Sequence, residues 1–544
     1  MYAMQILSAS EMQACDRATT ERYGITSLDL MRAAAAAVAS FAREYFPLAR
    51  RVTVVCGRGN NGGDGMMVAW LLARAGLEVT TLLLGAPEGL KGDGAEAWAE
   101  LTTPARGTIH IVTAASELAR LKDALDTDLI VDAVVGTGFK PPLKGLALAA
   151  LEWVKASKAP VLAVDLPSGW AADATQAGAE GMVFPADAVI TFTAPKPAHM
   201  FGQLTRRWHQ PVVVAPIGSP DAAIVSALKL SWAGEALALV QTPRHAGANK
   251  GSFGHVLVVG GTFGTAGGKS GAPAMAALAA LRAGAGLVTA AVPKSVQPLV
   301  AGAAHELMTM ALAETDDGAL AAENQARLAE SLERKTVIAV GPGMGTHPAT
   351  RWFLEELLKT SKVPLVIDAD GLNLVAEMLR ADVGALKRVA KGRTVVVTPH
   401  PGEMARLTGK SVAEIQQDRL GVAREFAAAH GVIVVLKGSR TIITAADGQA
   451  LVNTSGNPAL AKGGSGDLLT GLIAGLLAQF ADEPLEAAAL GVWLHGVAAD
   501  LLAAQKDERT ILASDLLAVL SQAFRYRADG GSGYLFIQGH RRSE

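Results

Sequence analysis

Apolar runs alternate with Ala- and Leu-rich segments along almost the whole chain. In the N-terminal half, runs at 51–57, 78–85, 108–114, 128–136, 160–169, 188–195 and 211–218 predict strands. These near-continuous apolar runs are typical of parallel strands buried on both faces. The segments between them, such as 66–75 and 146–156, predict crossover helices, and Ser8 with Glu11 forms a capping box that opens a helix through about Arg22. We therefore expect a doubly wound α/β domain.

A second series of the same kind begins after a polar stretch at about 222–246, where Pro, Gly and basic residues cluster. Its apolar runs lie at 255–261, 336–345, 364–373, 393–403 and 432–444, with long Ala/Leu segments between them. We predict two doubly wound, three-layer α/β domains at 1–225 and 245–525, joined by a linker at 226–244. The Gly- and Arg-rich tail at 526–544 is expected to be loose.

Composition narrows the class of protein. Half of the 544 residues are hydrophobic and 18% are charged, which is typical of a compact globular protein and not of a disordered one. The formal net charge of −2 favours neither nucleic acid nor an anionic membrane as a partner. Two cysteines, Cys15 and Cys56, exclude a disulfide framework and a zinc site. We see no signal peptide and no span long enough for a bilayer, so we expect a cytoplasmic protein.

The segment 461–474, AKGGSGDLLTGLIA, carries the strongest chemical signal. Gly463, Gly464 and Gly466 precede or open an apolar helix, and Asp467 lies in its first turn. Free amides and the helix dipole make such a terminus an anion site, and a carboxylate beside the anion suits a general base for phosphoryl transfer. The alternative is a turn in which Asp467 only caps the helix.

Three further motifs follow predicted strands of the first half. They are GRGNNGGDG at 57–65, DAVVGTGFKPPLKG at 132–145 and DLPSG at 165–169. Ligands of open α/β sheets bind at the carboxyl ends of strands, where these motifs place Asn60, Asn61, Asp132, Asp165 and Ser168. Such oxygen groups suit a hard cation or acid–base catalysis, although a single aspartate there often only caps a loop.

In the second half, polar groups again follow strands. Lys437 ends one strand and can reach a phosphate, but a hairpin turn explains the segment equally well. PHPGE at 399–403 places His400 and Glu403 at another strand end. DADGLN at 368–373 could bind magnesium or a sugar hydroxyl through Asp368 and Asp370, or could simply cap the next helix. GPGMG at 341–345 predicts a tight loop suited to a flat ligand.

The motifs of the first half, in this order and at these distances, resemble the N-terminal epimerase domain of the bifunctional NAD(P)H-hydrate repair enzymes, which is Rossmann-like. The resemblance covers roughly residues 1–225. It implies that Asp165 is the catalytic acid/base and that Asn61, Asp132 and Ser168 hold a potassium ion. It implies that the hydrated nicotinamide nucleotide contacts Asn60, Asn61, Gly62, Gly63, Asp64, Gly136, Thr137, Gly138, Phe139, Lys140, Pro141, Pro142 and Asp165.

The motifs of the second half resemble the dehydratase domain of the same family, which has a ribokinase-like fold, over about residues 245–525. The resemblance implies that Asp467 is the catalytic base. It implies a hydrated-nicotinamide site at Ala272, Gly345, His400 and Asp467. It implies an adenine-nucleotide site at Lys437, Gly438, Ser439, Arg440, Thr441 and Gly466.

The resemblance implies one repair function for the whole chain. NADHX and NADPHX, the hydrates of NADH and NADPH, would be the substrates, ADP or ATP the co-substrate, and magnesium and potassium the metal ions. The family also suggests a homo-oligomer, a homotetramer formed through the C-terminal domain. The main alternative is a ribokinase-like small-molecule kinase fused to a nucleotide-binding module without catalysis.

Overall fold

The computed structural model describes residues 4–103, 107–265, 267–529 and 533–539, apart from the side chains of 326 and 327. The chain forms two compact units. The first comprises Met1–Leu230 and Arg527–Glu544, and the second comprises Ser231–Tyr526. Each unit has one sheet with helices on its faces, which confirms the predicted class of two doubly wound α/β domains.

The first unit contains seven strands from its N-terminal part: β1 Arg51–Cys56, β2 Glu78–Leu84, β3 Thr108–Val112, β4 Leu129–Ala133, β5 Val161–Val164, β6 Ala188–Phe192 and β7 Val212–Ala215. Its helices are α1 Ala9–Tyr23, α2 Ser27–Tyr45, α3 Asn60–Arg74, α4 Asp93–Thr102, α5 Ala115–Leu118, α6 Gly145–Lys155 and α7 Pro197–Phe201. The strands run parallel in the order β7-β6-β5-β4-β1-β2-β3. The order reverses beside β1, so the loops after β1 and β4 diverge and leave room for a ligand.

Helix α1 begins as the sequence predicts. Ser8 accepts a hydrogen bond from the Glu11 amide at 3.2 Å, and the Glu11 carboxylate accepts one from the Ser8 amide at 2.8 Å. This reciprocal cap satisfies donors that the first turn would otherwise leave free. It fixes the start of the helix and therefore the direction in which its later polar residues point.

Residues 535–538 contradict the prediction of a loose tail. Leu535–Gln538 forms a strand that pairs antiparallel with β7 and completes an eight-stranded sheet. Phe536 is 4% exposed and joins the core of the first unit, and the Tyr534 hydroxyl donates to the Ala37 carbonyl at 3.2 Å. The Gly- and Arg-rich flanks concealed a short apolar segment that is long enough to cover a sheet edge.

The second unit has a ten-stranded sheet in the order β11-β10-β9-β12-β13-β14-β15-β16-β17-β8. The strands are β8 Leu230–Trp232, β9 His255–Val259, β10 Leu287–Pro293, β11 Met308–Leu312, β12 Val337–Val340, β13 Leu365–Ile367, β14 Val395–Val397, β15 Ile433–Leu436, β16 Ile442–Thr444 and β17 Ala450–Val452. From β11 to β15 the strands are parallel, and β16 turns back antiparallel to both β15 and β17. The segment after Lys437 therefore forms a hairpin, and the predicted role of Lys437 in binding a phosphate stays a prediction.

Among the described residues, the second unit has twelve α-helices: α8 Gly271–Arg282, α9 Gln297–Ala301, α10 Leu328–Leu332, α11 Pro348–Thr360, α12 Ala369–Ala381, α13 Ala385–Ala390, α14 Pro401–Thr408, α15 Val412–Gln417, α16 Arg419–His430, α17 Ser465–Leu477, α18 Pro484–Ala503 and α19 Leu516–Arg525. By length and composition α18 could cross a membrane, but 89% of its apolar window is buried inside the protein, as in a core helix. Gly471 of α17 lies so close to α8 that a Cβ there would be 2.0 Å from the Ala276 carbonyl. This close packing sets the position of the α17 N-terminus.

The predicted linker at 226–244 is also largely structured. Leu230–Trp232 is an edge strand of the second sheet, and Ala233–Val240 is a 3-10 helix with Ala233 fully buried. The Trp232 indole donates to Thr454 Oγ1 at 2.8 Å. The polar residues that suggested a linker therefore surround a short apolar segment that packs into the core.

Candidate active sites

A cavity of about 890 Å³ opens in the first unit, between helices α1 and α2 and the loops after β1, β4 and β5. Three separate segments meet there because parallel strands carry their following loops to the same edge of the sheet. Predicted site residues line the cavity at Asn60, Asn61, Asp64, Gly136, Thr137, Gly138, Phe139 and Asp165. The structure thus brings together the three motifs that the sequence could only place at strand ends.

Five residues of the predicted hydrate-binding set do not line this cavity. Lys140, Pro141 and Pro142 follow the lining segment in the loop after β4. Gly62 and Gly63 lie in the first turn of α3, where a Cβ at Gly62 would be 1.9 Å from the Gly57 carbonyl. Gly62 allows the helix to begin directly against the end of β1, and Gly63 allows Met31 of α2 to approach the helix closely.

Asp165 is the most constrained residue of the cavity. Its φ of +66° lies in the left-handed region, which costs a residue other than glycine roughly 1–3 kcal/mol. Its Oδ1 accepts hydrogen bonds from Lys196 Nζ and Thr191 Oγ1, both at 2.9 Å. Its Oδ2 accepts one from the Thr137 amide at 2.9 Å and a short one from the Thr137 hydroxyl. Strain held in place by four donors is typical of a functional carboxylate.

The charge of Asp165 is stabilised in spite of burial. Burial alone would raise the pKa of Asp165, but the Lys196 ammonium and the nearby His199, together with the hydrogen bonds, hold it far below its usual range. His199 Nδ1 accepts from the Lys196 amide at 3.0 Å, so its Nε2 carries the proton and donates to the Asp165 carbonyl at 2.8 Å. Burial, and then Lys196, lower the pKa of His199 to about 4, which keeps the ring neutral.

Sequence reasoning missed Lys196, His199 and Thr191. Lys196 is only 2% exposed, and its ammonium also donates to Thr191 Oγ1 at 2.8 Å. The available signal was the segment APKPAHM at 194–200, in which prolines flank a lysine directly after the strand β6. A lysine at a strand end is usually solvated, and only the contact with Asp165 across the sheet reveals this one as part of a site.

The residues predicted to hold potassium are partly assembled. The Ser168 hydroxyl and amide donate to the two oxygens of Asp132 at 2.6 and 2.7 Å, and both residues are fully buried. Burial raises the pKa of Asp132 to about 6, so a nearby cation would stabilise the charged form. Both polar atoms of the Asn61 amide are buried with no hydrogen-bond partner in the described part of the chain. An orphaned amide and a buried carboxylate fit a monovalent cation with oxygen ligands.

Two more carboxyl groups face the same cavity. Asp64, on α3, has a pKa well above its usual value because it is buried and because Asp165, Asp16 and Asp93 are all acidic neighbours. Asp16, on α1, has its pKa raised by burial, while Lys196 opposes that shift. The sequence analysis predicted Asp64 but gave no signal for Asp16, which is an ordinary polar position on a helix until the cavity is seen.

The second site lies at the N-terminus of α17. Gly464 precedes the helix with φ +91°, and no side chain caps the first turn. Asp467 is in that turn, but it makes no capping hydrogen bond, so the capping alternative is wrong. Burial, followed by the nearby charge of Asp368, raises the pKa of Asp467 to about 6. A carboxylate with this pKa is largely ionised at neutral pH and can still accept and release a proton.

Next to Asp467, a buried ion network joins four elements. Lys437 Nζ lies 2.7 Å from Asp368 Oδ1 and 3.7 Å from Glu403 Oε2, and the Thr470 hydroxyl donates to Asp368 Oδ2 at 2.6 Å. Asp368 precedes α12 but makes no side-chain cap, so its function is this pairing. Burial alone would raise the pKa of Asp368, but the charge of Lys437 and the hydrogen bonds outweigh burial and lower it. For Glu403, burial dominates and raises the pKa to about 7.

Two of the predicted hydrated-nicotinamide residues, Ala272 and Gly345, lie at or against the GPGMG loop. Gly341, Gly343 and Gly345 all have positive φ, which confirms a tight loop. A Cβ at Gly343 would be 3.1 Å from the Ala272 Cβ, so the loop lies against the start of α8. The Asp370 carboxylate accepts hydrogen bonds from the Gly345 amide and from Lys269, both at 2.9 Å. Asp370 therefore ties together the two segments that carry Ala272 and Gly345.

His400 has a structural function as well as a predicted binding one. Its Nδ1 accepts hydrogen bonds from the Gly402 and Glu403 amides at 2.9 and 3.4 Å and caps α14. The Glu403 carboxylate accepts one from the His400 amide at 2.8 Å in return. Burial lowers the pKa of His400, so at neutral pH the ring is neutral and Nε2 is its donor.

The predicted adenine-nucleotide residues occupy the β15–β16 hairpin. Gly438 and Ser439 are exposed, and the Thr441 hydroxyl donates to the Gly438 carbonyl at 2.9 Å. Arg440 has φ +58°, and its guanidinium donates to the Thr454 carbonyl at 3.3 Å. A Cβ at Gly466 would be 3.6 Å from Lys437 Nζ, which places the hairpin lysine beside the α17 terminus.

Comparisons with known proteins agree with this division into two sites. A family model described as NAD(P)H-hydrate dehydratase matches residues 256–522, and one described as YjeF-related protein N-terminus matches residues 27–198. The chain is 41% identical to the bifunctional NAD(P)H-hydrate repair enzyme Nnr of Moorella thermoacetica, over 96% of this chain and 97% of that protein. It is 36% identical to the enzyme of the same name from Escherichia coli, over 94% and 93%.

Two solved structures each match about half of this chain. The ADP/ATP-dependent NAD(P)H-hydrate dehydratase of Bacillus subtilis, co-crystallised with ATP and Mg²⁺, is 30% identical, with a TM-score of 0.46, over 55% of this chain and 99% of that one. A ribokinase-like superfamily protein from Enterococcus faecalis is 28% identical, with a TM-score of 0.47, over 55% and 97%.

Proposed function

Because this chain belongs to the family of bifunctional NAD(P)H-hydrate repair enzymes, we propose that it restores hydrated NADH and NADPH in two steps. One site interconverts the R and S hydrates at C6 of the nicotinamide ring. The other dehydrates the S form at the expense of ADP or ATP. The observation that carries the proposal is that each matched region contains its own carboxylate site, Asp165 within 27–198 and Asp467 within 256–522.

The dehydratase step needs a better leaving group than hydroxide. Phosphorylation of the C6 hydroxyl supplies one, and elimination of phosphate then restores the dihydropyridine. Asp467 takes the hydroxyl proton, since its raised pKa makes it a stronger base than an ordinary aspartate. The uncapped first turn of α17 offers its amides, that of Gly466 among them, to the transferred phosphoryl group. A kinase-like site thus catalyses a lyase reaction.

The nucleotide would lie along the β15–β16 hairpin, at Lys437, Gly438, Ser439, Arg440, Thr441 and Gly466. Lys437 is held by Asp368 and Glu403, so its ammonium is already oriented before phosphates arrive. The hydrate would lie on the other side of Asp467, against Ala272, Gly345 and His400. Tight positioning on both sides brings the C6 hydroxyl and the phosphoryl group together.

Magnesium fits this site as a companion of the nucleotide. In the described residues no cluster of three or more His, Cys, Asp or Glu side chains could hold a metal ion alone. Asp368 and Glu403 offer oxygen ligands beside Asp467, and Mg²⁺ commonly takes one or two carboxylates and completes its shell with phosphates and water. When bound, the ion would neutralise phosphate charge.

In the first unit, Asp165 is the acid/base of epimerisation. The hydrate would bind in the cavity against Asn60–Asp64 and the segment from Gly136 to Pro142. Asn61, Asp132 and Ser168 would hold potassium, which would satisfy the orphaned Oδ1 of Asn61 and fix the floor of the cavity. A rigid floor would hold the hydrated nicotinamide ring in a fixed position relative to the Asp165 carboxylate.

Location and assembly belong to the same proposal. We place the enzyme in the cytoplasm, where NADH and NADPH are used and where the two free, buried cysteines Cys15 and Cys56 remain reduced. A homotetramer formed through the second unit stays a prediction, to be checked by light scattering.

A spectroscopic assay tests both activities together. The protein is mixed with both epimers of NADH hydrate, ADP and magnesium, and the near-ultraviolet absorbance of NADH is followed. Full recovery is expected for the wild type, and recovery that stops near half is expected for Asp165→Ala. A stable phosphorylated product without NADH would contradict the proposal and favour the kinase alternative. Recovery near half in the wild type would leave the first unit without catalysis.

A further inference from the structure

Asp165 cannot accept and donate all of the protons that are transferred during epimerisation. A carboxylate has about four acceptor positions, and Lys196, Thr191 and two donors of Thr137 fill all of them. Only the Thr137 hydroxyl, at the cavity wall, can make way for a substrate hydroxyl. Asp165 therefore has room for one proton transfer.

Epimerisation at C6 needs two transfers. The C6 hydroxyl and N1 are attached to the same carbon, so the ring opens when the N1–C6 bond breaks, C6–O becomes a carbonyl and the bonding electron pair stays on N1. The hydroxyl loses a proton and N1 gains one. Rotation about C5–C6 and closure on the other face reverse both transfers, so neither an oxidant nor a reductant is needed. A second acid/base group must therefore face the ring nitrogen.

Asp16 is placed to be that group. It lies on α1, and its side chain lines the same cavity as Asp165. Among the described residues, no backbone or side-chain donor is within hydrogen-bond distance of its carboxyl, in contrast to the filled shell of Asp165. Burial raises the pKa of Asp16, Asp165 raises it further and Lys196 opposes the shift, so all three groups are electrostatically coupled. Two carboxyl groups whose environments shift their pKa values in opposite directions can serve as an acid and a base.

We propose that Asp16 is the second proton-transfer residue of the first site and that it protonates N1 when the ring opens. This inference rests on the proposed epimerase function. Asp165 accepts the hydroxyl proton in the same step, and each carboxyl group recovers its first state when the ring closes.

Asp64 is the competing acid and is less suited. Burial, and then its three acidic neighbours, raise the pKa of Asp64 well above its usual value, and no positive charge among the described residues opposes that shift. Asp16 has Lys196 beside it, and this positive charge stabilises the carboxylate that remains after the proton has left. A general acid must release its proton, which favours Asp16.

The test measures interconversion of purified hydrate epimers by Asp16→Asn, with the uncatalysed rate subtracted. The other ionisable groups that line the cavity are Asp64, Asp93, Asp165, Lys196, Arg17, Arg58 and Glu21, so the whole pH profile is recorded rather than one rate. We expect the rate to fall about 10²–10⁴-fold and the decline at high pH to disappear, because an amide cannot release a proton. Arg22→Gln is the control, since Arg22 is an exposed charged residue of the same helix and is not one of the residues that line the cavity. It should interconvert the epimers at the wild-type rate.

Dehydration of the purified S epimer by the same variant reports on the integrity of the protein. If Asp16→Asn interconverts the epimers at the wild-type rate with an unchanged profile, the proposal is overturned. The same holds if Asp64→Asn alone removes the decline at high pH. If Asp16→Asn fails to fold, the pH profile of Asp16→Glu decides instead. Under the proposal, this substitution must shift the pH at which the interconversion rate declines. A wild-type protein without any interconversion would instead refute the epimerase function itself.

Discussion

The charge of Asp368 should set the lower end of the pH range in which the dehydratase works. Asp368 is 1% exposed, and its carboxylate is one cause of the raised pKa of Asp467. Replacing it in Asp368→Asn removes that negative charge and frees Lys437, whose positive charge favours ionised Asp467. Both changes lower the pKa of the catalytic base, so the variant should keep its relative activity at lower pH than the wild type.

The size of the effect follows from the pKa of about 6. One pH unit below it, about a tenth of Asp467 is ionised, and the rate should be about a tenth of its plateau. If the pKa returns towards the ordinary value of 3.8, most of Asp467 is ionised at that same pH. Expressed against each enzyme's own plateau, the rate should therefore rise by up to about tenfold.

The assay is the rate of NADH formation from the S hydrate at saturating ADP and magnesium, recorded over the acidic range. Normalising each profile to its own plateau removes any loss that comes from weaker nucleotide or metal binding. Thr470→Val is the matched control, because it removes a hydrogen bond to Asp368 at 2.6 Å but leaves the charge in place. An acid limb of Asp368→Asn that coincides with the wild type would refute the electrostatic reasoning.

Three further changes should have measurable effects. Asp467→Asn should abolish NADH formation and raise the free energy of unfolding of the second unit by about 1–3 kcal/mol above pH 6. The reason is that ionising Asp467 at a folded pKa of about 6 costs the wild type stability, which it regains as the pH falls towards 3.8. Denaturant titrations of both proteins at the two ends of this pH range check the prediction. Lys196→Met leaves Asp165 buried without its cation and should destabilise the first unit by about 3–5 kcal/mol, which a urea titration would reveal. Phe536→Ala should cost the first unit about 3–5 kcal/mol in calorimetry, and a loss below about 1 kcal/mol would mean that the C-terminal strand hardly contributes.

Local sequence patterns were sufficient to predict the strands and the fold class of the protein. Strands such as β1 and β9 are continuous apolar runs between turn residues, and such runs indicate buried parallel strands wherever they occur. The position of Asp467 was equally local, because glycines followed by an apolar helix mark an N-terminus. Candidate positions for both sites could therefore be predicted without any knowledge of contacts between distant segments.

Distant contacts account for what the sequence could not reveal. Asp368 could equally have been a helix cap until Lys437, from another strand, was found 2.7 Å away. Lys196 looked like a solvated lysine until the neighbouring strand placed Asp165 against it. The tail was misjudged because Leu535–Gln538 gains its order only from β7, a strand that no nearby pattern points to. Pairings of this kind depend on topology rather than on composition.

The C-terminal strand has a consequence for biosynthesis. The first unit takes its last strand from the end of the chain, so the whole of Ser231–Tyr526 is translated between β7 and the segment that covers its edge. At roughly 5–20 residues per second, a ribosome needs from about a quarter of a minute to a minute for that interval. Throughout it the nascent chain presents the apolar edge Val212–Ala215 without its partner. Such an open edge can pair with other chains, so we expect chaperone contact there and premature termination near Tyr526 to yield aggregated protein.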